Sequence, residues 1–188
     1  FRQDFVQRVR EEKHKAQFNP VYCDHGWFID KDPIPGYEKL QLQAFHVDLL
    51  YMERKYSECI VKAKEALAEV NRKHNQTERM MLETIIRCSI KLDDAESGLN
   101  ALAELNLYHT VEEPGLSSLK AQAYFHFKDF DKGLQYGEEY LRLRPGDISM
   151  HLLIGSALSN LNPDLSDEHL AHAKRLTDLR QQTQTGVE

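Results

Sequence analysis

The stretch from Ala123 to Pro145, AYFHFKDFDKGLQYGEEYLRLRP, decides the fold. It carries seven aromatic or histidine side chains, two glycines and a closing proline, among acids and bases that form no catalytic or phosphate-binding pattern. Tyr124, Phe125 and Phe127 stand before a polar turn at Lys128-Asp129. Gly133-Leu134 follows, and Leu141, Leu143 and Pro145 close the run. This order reads as a helix, a tight turn and a second, antiparallel helix. Two helices cross closely only where one side chain is small, and aromatic groups then fill the space alongside. Proline stops the second helix because it has no N–H to donate.

The same arrangement recurs upstream. The segments YMERKYSECI, SIKLDDAESGL and YFHFKDFDKGL can be laid over one another, each leaving one helix and entering the next. Each carries a small residue followed by a branched apolar one: Cys59-Ile60, Gly98-Leu99 and Gly133-Leu134. Tyr56, Ala95 and Phe130 are matching turn positions, at spacings of 39 and 35 residues. A fourth unit follows if Gly155 is matched to Ala121, 34 residues earlier. From Tyr37 onward apolar residues recur at three and four, and no pair of long alternating runs suggests a sheet. The periodicity and six punctuating prolines predict helices over 38–53, 56–73, 76–92, 94–106, 114–127, 130–143, 147–161 and 166–181. Asn75 and Glu78 are placed for a capping box and Ser166 for an N-cap.

These features resemble the tetratricopeptide repeat, a helix-turn-helix unit of about 34 residues. The likeness is best over 114–147, where Ala121 stands at the crossing and Tyr124 one turn later. There Lys128-Asp129-Phe130 stands for the usual Gly-Asp-Tyr turn. It covers 38–161 and reaches 181 with a distorted last unit. Gly98 and Gly133 replace the usual alanine, each at about 1 kcal/mol in helix propensity. Gly137 and Tyr140 reverse the expected order of large and small, which leaves the local crossing angle in doubt. The resemblance implies an all-α solenoid of three to four hairpins over 38–181, with an N-terminal arm at 1–37 and a tail at 182–188. Within the arm, YCDHGWFID is also similar to the entry segment of an uncharacterised vertebrate tetratricopeptide protein, through a cysteine and a Trp-Phe pair; that likeness implies no activity.

In the family the first helix of each pair lines a groove that receives an extended peptide or a partner helix. Carried over by the repeat alignment, the groove residues are Phe45, Asp48, Tyr51 and Met52, then Glu83, Arg87 and Ile90, then Leu119, Gln122, Phe125 and His126, with Leu152 and Ser156 extending it. The competing role for the apolar ones is packing on adjacent repeats. The chaperone-binding members grip a C-terminal carboxylate with lysines, asparagines and an arginine. The corresponding positions here are Ala44, Asp48, Thr84, Gly115 and Leu119, which cannot supply those donors. The expected partner is therefore an apolar peptide or an amphipathic helix. In the arm, Tyr22, Trp27 and Phe28 either cap the first repeat or anchor a partner. A short amphipathic helix over 2–16 would put Phe5, Val6 and Val9 on one side.

Composition narrows the classes of function. The chain has 188 residues, 41% of them hydrophobic, and a net charge of −6, which disfavours a general nucleic-acid footprint. EEKHK and RLRP are too short to make one. No apolar run approaches the roughly 20 residues of a membrane span. Residues 1–18 are charged throughout, unlike a signal peptide, and the opening Phe1 suggests a fragment of a longer chain. Cys23, Cys59 and Cys88 are odd in number and form no CxxC pair, as expected of buried thiols in a reducing compartment.

Chemistry finds little support. His169 and His172 at i, i+3, beside Glu168, suit a metal only with a third ligand, and a solvated polar helix face explains them better. Asp24-His25 near Cys23 is adjacency in a loop, and Asp93-Asp94 reads as a turn. The expectation is an intracellular scaffold or adaptor, cytoplasmic or nuclear, with no cofactor, no metal and no catalytic residues. The alternative is an enzyme or metal-dependent domain of unrecognised type.

Overall fold

The computed structural model describes residues 37–69, 76–107 and 113–185. Among them every regular element is a helix: α1 (Tyr37–Met52), α2 (Tyr56–Glu69), α3 (Gln76–Leu92), α4 (Ala95–Leu105), α5 (Pro114–His126), α6 (Phe130–Leu143), α7 (Ile148–Leu158) and α8 (Pro163–Thr185). The arm residues up to 36, including Tyr22, Cys23, Asp24, His25, Trp27 and Phe28, lie outside the described residues, as does Asn75 of the expected capping box.

One turn is built three times. After α1, α3 and α5 the chain passes through a residue of positive φ: Arg54 at 61°, Asp93 at 57° and Lys128 at 64°. The next amide turns back onto the carbonyl five residues earlier, Lys55 to Leu50 (2.9 Å), Asp94 to Ser89 (3.0 Å) and Asp129 to Tyr124 (2.9 Å). These are Schellman closures, which satisfy a carbonyl that the ending helix leaves without a partner. The following helix starts one residue later, at Tyr56, Ala95 and Phe130. In two of the turns an aspartate caps it: Asp94 accepts from Ser97 N at 3.0 Å and Asp129 from Lys132 N at 3.3 Å. Asp93-Asp94 is thus a turn and a cap, not a carboxylate pair.

The turn fixes where the second helix presents its small residue. Cys59, Gly98 and Gly133 each donate an amide to the carbonyl of the residue four earlier, and each is buried. A Cβ on Gly133 would lie 2.6 Å from Phe125 Cδ1, and one on Gly98 would lie 2.3 Å from Phe127 Cε2. Gly137 faces Ile154 instead, with a Cβ falling 3.0 Å from its Cδ1.

Packing follows chain order, each helix against the next, and α1–α3, α3–α5 and α5–α7 also touch. Two apolar clusters result. The larger runs from Leu40 and Val47 through Ile60, Met81, Ile86 and Leu102 to Leu119 and Tyr124. The smaller gathers Ala121, Phe125, Leu141, Met150, Ile154 and Leu158. Helix α5 supplies both, so it is apolar on two sides and lacks the single buried stripe of a surface helix.

The last hairpin is joined differently. Asn162, not Ser166, caps α8: its Oδ1 accepts from Leu165 N at 3.2 Å, and Pro163 occupies a first-turn position that needs no donor. Ser166 lies inside the helix, buried, and donates to Gly155 O at 2.7 Å. Helix α8 therefore begins three residues earlier than the sequence predicts, and it continues to Thr185, through part of the expected tail.

Replacing Gly133 by Leu drives the new side chain into the Phe125 ring and should destabilise by about 1–3 kcal/mol. Gly115→Ala, where a Cβ meets nothing within 4 Å, should be neutral or stabilising. Denaturant midpoints measure both, and equal midpoints for the two variants would contradict the crossing. Lys128→Gly should raise stability by roughly 0.5–1 kcal/mol, because glycine adopts positive φ without the Cβ penalty.

Candidate interaction surface

The first helices, α1, α3, α5 and α7, touch in succession. Exposed and part-buried side chains recur at three and four residues along one side: Leu42, Phe45, Asp48 and Met52 on α1, Arg79, Glu83 and Arg87 on α3, Ser118, Gln122 and His126 on α5, and Leu152 and Ser156 on α7. Such spacing defines one face of each helix. Its ends are apolar and its middle is polar.

An ion-pair ladder organises the middle. Arg79 Nε donates to Glu83 at 3.0 Å, and Arg87 donates to the other Glu83 oxygen at 3.1 Å. Both terminal nitrogens of Arg79 donate to Glu113, just before α5, one of them at 3.0 Å. This bidentate pair holds the Glu113 carboxyl below its ordinary range. The Arg79–Glu113 pair is exposed and contributes little stability, so its main effect is to fix Arg79, which with Glu83 orients Arg87.

The structure divides the expected groove residues. Met52, Gln122, His126 and Leu152 are exposed, and Phe45, Glu83 and Arg87 are part-buried on the same faces. Gln122 donates to Ser118 at 3.1 Å, and His126 pairs with Asp93 at 3.1 Å. Tyr51 is half-buried against Tyr56, their centroids 5.7 Å apart, and burial pushes its hydroxyl pKa up. Leu119 and Phe125 are each only 6% exposed and belong to the two cores. Leu119 and Phe125 therefore do not line an open face with Phe45 and Tyr51, because α5 packs on two sides. Ala44 and Leu119, two of the positions compared with a carboxylate clamp, are also buried.

Sequence reasoning missed a polar knot behind this face. Tyr124 and Tyr136 stack with centroids 5.6 Å apart and planes 4° from parallel. Asn106, at the end of α4, donates to Tyr124 Oη at 3.2 Å and accepts from Tyr136 at 3.3 Å. Lys120 Nζ lies 4.9 Å from the Tyr136 ring centre and Lys132 Nζ lies 5.2 Å from that of Tyr124. Burial lowers the Lys120 pKa, with Glu139 opposing and Arg79 assisting. The one signal in the sequence was Tyr136 standing next to Gly137 on α6.

Cys59 and Cys88 are buried free thiols; the Cys59 sulfur beside it, together with burial, pushes Cys88 up and keeps it protonated. His169 and His172 do not lie on a solvated face: both are half-buried and packed against His151. Among the described residues no three His, Cys, Asp or Glu side chains are grouped to hold a metal ion, and no helix is long and apolar enough to cross a membrane. No family model, curated protein or solved structure matches the chain.

Asn106→Ala removes two hydrogen bonds between the second and third hairpins and should cost about 1 kcal/mol. Tyr136→Phe, which loses one exposed hydroxyl, should cost less. Thermal unfolding ranks the two, and a neutral Asn106→Ala would show that the ring stack holds without its bridge.

Proposed function

We propose that the chain is a tetratricopeptide-like solenoid of three to four hairpins that works as an intracellular scaffold or adaptor, binding a protein segment across its first helices. The supporting observation is the turn built three times at matching positions, which gives successive hairpins the same entry geometry. Positive φ at Lys128 falls where the tetratricopeptide pattern has glycine, the residue best suited to it. The two buried free thiols fit a reducing compartment.

Burial of Leu119 and Phe125 changes the partner's expected chemistry. The segment that fits has an apolar anchor for Phe45 and Met52 and polar or charged groups for Glu83, Arg87 and Gln122. It is an amphipathic helix or mixed peptide rather than a purely apolar one. Large anchors dominate such interfaces, and rim charges set orientation.

Affinity purification with mass spectrometry identifies the partner, and purified components then test the face. Met52→Asp and Arg87→Glu should each weaken binding by roughly tenfold or more, with unchanged unfolding midpoints. Lys174→Glu, on exposed α8, should not. If affinity survives both face variants and disappears in the full chain carrying Tyr22→Ala and Trp27→Ala, the N-terminal arm is the binding element and the face assignment fails.

A further inference from the structure

The terminal hairpin carries a histidine cluster whose hydrogen bonds restrict how many protons it can hold. His151, on α7, is 8% exposed. Its Nε2 lies 3.2 Å from Pro145 O, and a carbonyl only accepts, so Nε2 carries a proton. Its Nδ1 lies 2.9 Å from His169 Nδ1, on α8. One proton can sit between those two nitrogens, but two cannot. His172, one turn further along α8, stacks on His151 with centroids 4.4 Å apart. Arg175 donates to its Nδ1 at 3.1 Å, so that nitrogen is unprotonated.

We propose that this cluster is an acid-sensitive latch: taking up protons on His151 and His169 separates α8 from α7 and opens the last hairpin while the earlier ones stay packed. The first proton is accommodated on either ring: on His169 Nε2 with its Nδ1–H still donating to His151, or on His151 Nδ1 once His169 changes tautomer and accepts. The second places N–H against N–H and must break the contact. The confinement of the effect follows from where the imidazoles sit: His151 is on α7, His169 and His172 are on α8, and among the described helices α8 packs chiefly on α7.

The surrounding charges act in both directions. Asp147 at the head of α7 favours the charged form of His151, and Glu168 on α8 with Glu138 on α6 favours that of His169. Burial comes first in opposing them, with the neighbouring imidazoles adding to it, and both histidines are held below their ordinary value. The ionisable side chains of α5 are engaged elsewhere, Lys120 over Tyr136 and His126 with Asp93. A histidine whose folded pKa is depressed binds protons more readily when released. The stability it supports is complete above the unfolded value of about 6.5 and is lost as pH falls from there through the folded values.

Hydrogen exchange on the wild-type chain, corrected for intrinsic rates, tests the latch. Between about pH 7.5 and about pH 5.5, protection of α8 amides beside His169 should fall roughly tenfold, with little change in α1–α4. A uniform fall across all helices, or no fall, overturns the proposal. His169→Gln supplies a second reading, because a side-chain amide can present either its NH2 or its oxygen to His151 and does not titrate in this range. That variant should keep α8 protected at the lower pH, and acid sensitivity equal to wild type would also overturn it. If the variant does not fold, the imidazole proton resonances of the wild-type chain decide. His151 and His169 must titrate below the ordinary histidine value of about 6.5, and titration at that value removes the basis of the latch.

Discussion

A backbone amide bonded to the carbonyl five residues earlier sets the geometry on which the rest of the molecule depends. In three hairpins it closes the first helix and fixes the residue from which the second starts. It requires positive φ at Arg54, Asp93 and Lys128, none of them glycine. The conformation costs roughly 1–2 kcal/mol at each, while a hydrogen bond contributes about 0.5–1.5 kcal/mol net. The turn is therefore close to neutral by itself. Its value lies in what it positions: a small residue of the second helix, four beyond the cap, reaches the crossing in each hairpin. The burial that follows supplies the stability, because no single hairpin can cover its own apolar face.

Among the described residues helix order and turn positions were legible from the sequence, because turn chemistry and apolar period agree there. Tyr56, Ala95 and Phe130, matched by spacing, are each the first residue of a helix. The last hairpin was misread at its start because Ser166, a good cap by type, spends its hydroxyl on Gly155 O, while Asn162 and Pro163 supply the cap and the first turn. The candidate surface was half legible. Residues on α1 and α3 lie at exposed or part-buried positions, since those helices have one core side. On α5 the same register led inward at Leu119 and Phe125, because a helix between two cores has no free apolar face. Period alone does not distinguish that case from a groove lining.

The contacts between hairpins differ in kind along the chain. The first two share aliphatic groups and a pair of thiols, the Cys59 sulfur lying beside that of Cys88. The second and third add the tyrosine stack bridged by Asn106. Tyr136 packs against both apolar clusters, so the knot sits where one core gives way to the other. Flat aromatic groups suit this place, since they bury area on both faces and keep a hydroxyl for the polar bridge.

At the far end the crossing depends on polar groups. Leu170 covers Gly155, where a Cβ would come within 2.7 Å of its Cγ, and Ser166 bonds the carbonyl of that same glycine. Tyr140 donates to Asp147 at 2.5 Å, while Asp147 also caps α7 through Met150 N, so one carboxylate ties α6 to the start of the last hairpin. The Tyr140 bond holds that carboxyl below its ordinary range. Its charge is therefore still present in the pH range where the histidines begin to take up protons. The attachment between α6 and α7 and the contact between α7 and α8 thus respond to acid at different points. Among the described helices α8 packs chiefly on α7, so loosening that contact leaves the packing among α1–α6 in place. Placing the titrating groups between α7 and α8 permits a local response, whereas the same groups between α3 and α5 would act on the larger apolar cluster.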